Sequence, residues 1–226
     1  KRRLGQPLGS CGDATYIRTM MKRSHINRSG RILAATRQVA SALAFLVLAS
    51  AWAGLAAKAD QRDPRLDGLF DELQRTASLS KAETIVAEIW IRWTAFAGET
   101  AGDSRASSLM AAGMQMMGDG RLESAERVFT ELVSTHPDHA EAWNKRATVR
   151  FMRGNDAGSR SDIARVIELE PRHFGALSGL GMINVRDGDL AGALQAFEAA
   201  LRVNPHMPQA AGIVVKLREQ LRGRAL

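Results

Sequence analysis

The residues best equipped for chemistry beyond residue 60 are four histidines, His136, His139, His173 and His206. His136 and His139 flank Pro137-Asp138, close enough in sequence for two imidazoles to share a metal ion. A zinc-binding helix needs its ligands on one face, and the proline makes a His-Pro-Asp-His run non-helical. These histidines are therefore expected as turn residues, with no metal and no other cofactor. Asp119, Asp187 and Asp189 lie beside Gly120 and Gly188. Near helix starts such carboxylates add a few tenths to about 1 kcal/mol as caps, and an acid–base pair would need a pocket to perturb it. Arg146, Arg150 and Arg153 fall on one helix. They could meet an acidic partner patch, but a solvated face paired with Glu141 and Asp156 is the favoured reading. No segment reads as a strand, so no phosphate loop, nucleophile elbow or dinucleotide fingerprint has a place to sit. No catalytic residue is expected.

The net charge of +7 suggests nucleic acid or anionic lipid, yet it is unevenly distributed. Up to Ala59 there are 10 Lys/Arg and one acidic residue, Asp13; from Asp60 onward 21 Lys/Arg face 23 Asp/Glu, a net of −2. A nucleic-acid-binding protein carries its positive stripe on the folded body, so that class of partner is not expected. The basic excess instead has the order of a secretory leader. A basic segment runs from Met21 to Arg37, an uncharged stretch from Gln38 to Ala57, and Ala57-Lys58-Ala59 forms a small-x-small site that would free a chain at Asp60. Residues 1–20 read as an upstream extension. An uncleaved membrane anchor is the rival reading, since the uncharged stretch is about long enough to span. Alanine dominates it, however, and only Leu43, Phe45, Leu46, Val47 and Leu48 are strongly apolar. Export to the periplasm is expected, with inner-membrane anchoring as the alternative. The single cysteine, Cys11, lies in the leader, so the body has neither disulfide nor thiol chemistry.

The elements that position everything else announce themselves by a fixed step. Pro137, Pro171 and Pro205 are 34 residues apart, and so are Leu109, Trp143 and Leu177. Gly113, Ala147 and Gly181 share a phase, as do the three glycines Gly120, Gly154 and Gly188. The second half of each unit follows with Ala125, Ser159 and Ala193, then Phe129, Ile163 and Phe197, then Leu132, Val166 and Ala200. Such a period of small and large residues is the mark of a stacked array. Each unit reads as two short helices, A and B; in the first unit A covers about 106–118 and B about 122–135. A positive-φ glycine turns A into B. Small residues let A and B approach, a phenylalanine fills the seam, and the proline ends B.

This pattern resembles the tetratricopeptide repeat family, whose signature the third unit carries as Leu177, Leu180-Gly181, Ala193, Phe197, Ala200 and Pro205. The first unit carries it as Leu109, Ala112-Gly113, Ala125, Phe129, Leu132 and Pro137, while the middle unit departs at Arg146, Arg150, Gly158 and Ser159. The resemblance implies an all-α, short superhelical solenoid of antiparallel helix pairs. Its repeats are 106–139, 140–173 and 174–205, and residues 206–226 supply a C-terminal capping helix. Residues 60–105 are expected to form an N-terminal helical hairpin and loop. Leu66, Leu69, Phe70 and Leu73 mark its first helix. Ser80 would cap a second helix that ends near Phe96 and carries Ile85, Val86, Ile89, Trp90 and Trp93, and the stretch Gly98 to Ser108 reads as loop. Because it is out of phase, this hairpin is expected to cap the array's N-terminal end.

The family resemblance also implies a concave surface lined by the A helices. The positions left over from the A–B seam are Met110, Met114 and Met117, then Asn144, Thr148 and Phe151, then Ser178, Met182 and Val185. The spacing i, i+4, i+7 puts each trio on one helical face. Methionine suits a surface that adapts to an apolar segment. The family's two-carboxylate clamp would need cations or amides where Met110 and Met114 stand, so a C-terminal carboxylate ligand is not expected. The competing reading makes the Met stripe buried core, covered by the chain's own Trp90 and Trp93. The functional expectation is a non-enzymatic scaffold or adaptor that binds a protein or peptide in the cell envelope. Its alternative is a membrane-anchored assembly factor, and a membrane is involved only if the leader is kept as an anchor.

Overall fold

The structure, a computed structural model, describes residues 63–96 and 101–223, with side chains from Ser104 onward in the second stretch. The leader, Cys11 and the choice between cleavage and anchoring lie outside the described residues. Among the described residues nine helices follow one another: α1 (Arg65–Arg75), α2 (Leu79–Thr94), α3 (Ala101–Gly118), α4 (Leu122–Thr135), α5 (Ala140–Met152), α6 (Asp156–Leu169), α7 (Phe174–Asp187), α8 (Leu190–Val203) and α9 (Pro208–Arg222). Among the described residues there is no strand. The architecture is an all-α solenoid in which α3–α4, α5–α6 and α7–α8 are stacked antiparallel pairs, and no helix among the described residues is long and apolar enough to cross a membrane.

Local chemistry fixes both ends of every pair. Gly120, Gly154 and Gly188 take φ of 74°, 82° and 79°, a left-handed backbone that costs other residues a Cβ clash. The following residue then donates its N–H back into the helix at 2.8–2.9 Å: Arg121 to Met116, Asn155 to Arg150 and Asp189 to Asn184. This double-turn closure satisfies carbonyls that would otherwise be orphaned at the helix end. The B helices end alike, with N–H groups of His136, Glu170 and Asn204 donating to Leu132, Val166 and Ala200.

Inside a pair, volume is exchanged between partners. A Cβ on Gly113 would lie 2.7 Å from the Phe129 ring, and one on Gly181 would lie 2.7 Å from Phe197. In the middle pair Ala147 faces the smaller Ile163, within one core. The departures of that pair are all accounted for. Ser159 donates its hydroxyl to the Ala147 carbonyl at 2.8 Å. Gly158 leaves room for the Asn155 side chain that caps α6. Arg146, only 8% exposed, makes a two-pronged pair with buried Asp162 at 2.8 and 2.9 Å. Arg150 bridges Asp162 and Glu126, and Arg153 reaches Glu123 and Glu126. These arginines are thus an ion-pair ladder through the middle of the array and not a solvated face. The expected partners lie elsewhere, Glu141 with Lys145 and His173, and Asp156 with Arg186.

Two further expectations are corrected. Residues 101–108 are helical, because burial of Ala106 and Met110 against the first core extends α3 and Ser108 returns its hydroxyl to the Ser104 carbonyl at 2.9 Å. The cap of α2 is Ser78, not Ser80; its hydroxyl accepts from the Lys81 N–H at 3.3 Å. α9 starts with proline in its first turn and buries Ala210, Ile213, Val214 and Leu217 against α8. The α1–α2 hairpin does not cap the N-terminal end. Its core residues Leu66, Phe70, Leu73, Ile85, Ile89 and Trp93 join Phe174 and Ala200 of the third pair.

Three substitutions test this packing by urea denaturation. Phe197→Ala is expected to cost about 3–5 kcal/mol, and Gly181→Leu about 1–3 kcal/mol by overpacking the same seam. Asp162→Ala strands the buried Arg146 guanidinium, while Arg150 keeps Glu126, and is expected to cost about 3–5 kcal/mol.

Candidate interaction surfaces of the array

Of the nine phase-matched residues, Met110 and Asn144 are buried and the other seven are partly buried. Met110 is buried in the first core, where partly buried Met114 and Met117 pack in reach of Ala142 and Val149 of α5. Asn144 is buried and donates its amide to Glu141 at 2.9 Å. Thr148 donates its hydroxyl to the Asn144 carbonyl at 2.9 Å. Phe151 lies under the Arg186 guanidinium, 3.8 Å from its ring centre. Ser178 Oγ is buried without a protein partner, and Met182 and Val185 pack on the core shared with α9. Trp90 and Trp93 pack elsewhere, on the junction between the second and third pairs.

That junction belongs to a second surface, which sequence periodicity marked only as a row of turn histidines. α2 has 16 residues, about 24 Å of helix, and it runs with α1 along the edge where B helices end and A helices begin. At the first junction His139 caps α5: its Nδ1 accepts the Ala142 N–H at 3.2 Å. The ring proton therefore sits on Nε2, which donates to the Ala95 carbonyl at 3.0 Å. Phe96 stacks on the same ring, centroid to centroid 4.0 Å. At the second junction His173 repeats the device, accepting the Ala176 N–H at 3.1 Å and donating Nε2–H to Glu141 at 2.9 Å. Trp93 stacks on its face at 4.2 Å and Trp90 meets its edge at 5.6 Å. A Cβ on Gly175 would lie 2.9 Å from Trp90, so the approach requires glycine. At the third junction the His206 ring bonds the Leu73 carbonyl at 3.1 Å. Arg172 completes the row, with its guanidinium on Asp67 at 2.6 Å and over the Phe70 ring at 4.5 Å.

Electrostatics beneath the hairpin follow from burial. Glu141 is fully buried, and burial would raise its pKa. The Lys145 ammonium at 2.8 Å and the His173 hydrogen bond outweigh that and hold the carboxyl at about 2, below its ordinary 4.5. Its contribution to stability is thus complete above pH 4.5 and lost as pH falls through about 2. Burial lowers the pKa of His139, against the opposing hydrogen bond to Ala95. The folded state takes up this proton less readily than the unfolded chain, so stability is lost as pH falls below the ordinary value of 6.5. The loss as pH falls below 6.5, followed by urea denaturation, is expected to shrink in His139→Asn, which can still cap α5.

The model of the tetratricopeptide repeat matches residues 111–168 and 157–208, leaving the hairpin outside the match. A TPR repeat-containing protein of Rhizobium etli is 37% identical over 159 residues, covering 70% of this chain and 76% of that protein. DnaJ homolog subfamily C member 3 of Rattus norvegicus is 32% identical over 116 residues, 50% of this chain but only 23% of the relative. Among solved structures, the Sgt2 TPR domain from Aspergillus fumigatus superposes with a TM-score of 0.52 at 17% identity, covering 57% of this chain and 87% of that domain. The first TPR of Spaghetti (RPAP3), solved bound to the HSP90 peptide SRMEEVD, gives 0.51 at 21% identity, with 53% and 94% covered. At such identities the likeness is one of fold. The period, the paired helices and the Rhizobium relative lead to one assignment: this chain belongs to the tetratricopeptide-repeat family.

Proposed function

We propose that this protein is a non-enzymatic scaffold that binds a polypeptide on the inner face of its A helices. The observation that carries this reading is the fate of the polar groups. Glu141, His139 and His173 are each committed to capping, pairing or docking bonds, which leaves a surface organised for contact, not for proton transfer. A solved array of the same fold holds a peptide, and here the open edges of Met114, Met117, Phe151, Met182 and Val185 offer apolar, deformable contact.

The occupant is an amphipathic or extended segment, not a C-terminal carboxylate. The cations nearest the inner face are engaged within the chain: Lys145 with Glu141, Arg146 with Asp162, Arg186 with Asp156. The basic, then uncharged, leader supports a place in the cell envelope, either released at Asp60 or held there by residues 38–57. The mass of the N-terminus in native membranes and periplasm separates these two.

Crosslinking capture from that compartment tests the binding face. Wild type is expected to retain a polypeptide that Met114→Glu and Met182→Glu lose while keeping their helical circular dichroism. Undiminished capture by both variants contradicts the assignment, and unfolding of both identifies the stripe as core.

A further inference from the structure

The junction row is a second surface, distinct from the inner face, and it already holds a helix. We propose that it is a docking site for an amphipathic helix bearing aromatic residues three apart, that residues 63–96 fill it in cis, and that a partner helix of that chemistry gains access by displacing them.

Three observations carry this. First, the seams of the array close without its occupant. Three cores, which hold the seams of the pairs and α9, contain no residue before Phe96, and removal of the hairpin bares an apolar patch of Phe174, Leu177, Ala200, Val203 and Met207. Second, the hairpin is not self-sufficient. Its helices have 11 and 16 residues, too short for stability in water without a surface to bury against, and their core closes only on Phe174 and Ala200. Third, the surface under it has a definite chemistry. Phe174 and the His173 ring form an apolar floor for Trp90 and Trp93. Lys145 stands over the Trp90 ring at 5.3 Å, and Arg172 takes Asp67. The cation over the ring selects an aromatic side chain, and Arg172 selects a carboxylate at the position of Asp67. Displacement strands no buried charge, because Glu141 keeps Lys145 and His173 as partners on the array itself.

The hairpin holds the array by side chains and single carbonyls, not by a backbone ladder, so exchange needs no strand to be unzipped. Occupation in cis lowers apparent affinity for any outside helix by the fraction of molecules that are open.

The test uses the full chain and a dye-labelled synthetic peptide of residues 63–96. Trp90→Ala/Trp93→Ala in the chain weakens the resident helix and leaves the array side untouched. It is expected to bind the peptide about ten-fold or more tighter than wild type does. Adding Gly175→Leu to that variant is expected to abolish the gain, since the new side chain fills the Trp90 site. If the double variant loses the helicity of the array, Trp90→Ala alone, at a half-buried position, replaces it in the same titration. Equal binding by wild type and the weakened chain overturns the proposal, as does tight binding that Gly175→Leu does not alter. Neither outcome bears on capture at the inner face, which is measured with a native partner.

Discussion

Each repeat junction has to end one helix, begin another and leave no buried backbone group unpaired. The B helix ends with an N–H folded back to the carbonyl four residues earlier, the proline follows, and the next A helix opens with exposed N–H groups that need acceptors. His139 and His173 supply the acceptor with one ring nitrogen. A short polar cap would finish its work there, but an imidazole has a second nitrogen on the far side of a flat, stackable ring. Capping fixes which nitrogen carries the proton. At the first junction that proton goes to the hairpin's Ala95 carbonyl; at the second it goes to Glu141, and the ring face takes Trp93.

The same constraint explains why the array and its hairpin are built from different rules. The array propagates by nearest neighbours, each pair burying its seam against the next. Gly113 with Phe129 and Gly181 with Phe197 exchange volume across that seam, and Ala147 with Ile163 does so in the middle. Where the middle pair replaces apolar positions by Arg146 and Arg150, buried Asp162 answers both. The hairpin instead crosses all three junctions at once, from Phe96 near the first to Leu73 near the last. It can brace the curvature of the solenoid in a way that no single repeat can.

What was legible in the sequence follows that division. A period of 34 with glycine at the turns and paired small and large residues states the pairs, the turn conformation and the fold class, because those depend on local backbone and nearest-neighbour volume. The partners of Arg146 and the address of the hairpin were hidden. They depend on which side chains meet across 16 residues in one case and on contacts such as Leu73 with His206 in the other, and no period relates those positions. A signal was present all the same. His139 and His173 keep the 34-residue step, and Trp90, Trp93 and Phe96 are three apart; the two series were readable separately but not as one interface. Spacing groups the inner-face trios, yet it cannot say that Met110 and Asn144 are buried while the other seven are only partly so.

The imidazoles give the most direct test. Nitrogen-15 NMR of the histidine rings in the folded chain near neutral pH reports which nitrogen is protonated. The account predicts bare Nδ1 and protonated Nε2 at both His139 and His173, with ring-current shifts and cross-relaxation from Phe96 and Trp93. Nδ1-protonated rings, or rings averaging freely between tautomers without an aromatic neighbour, would contradict it.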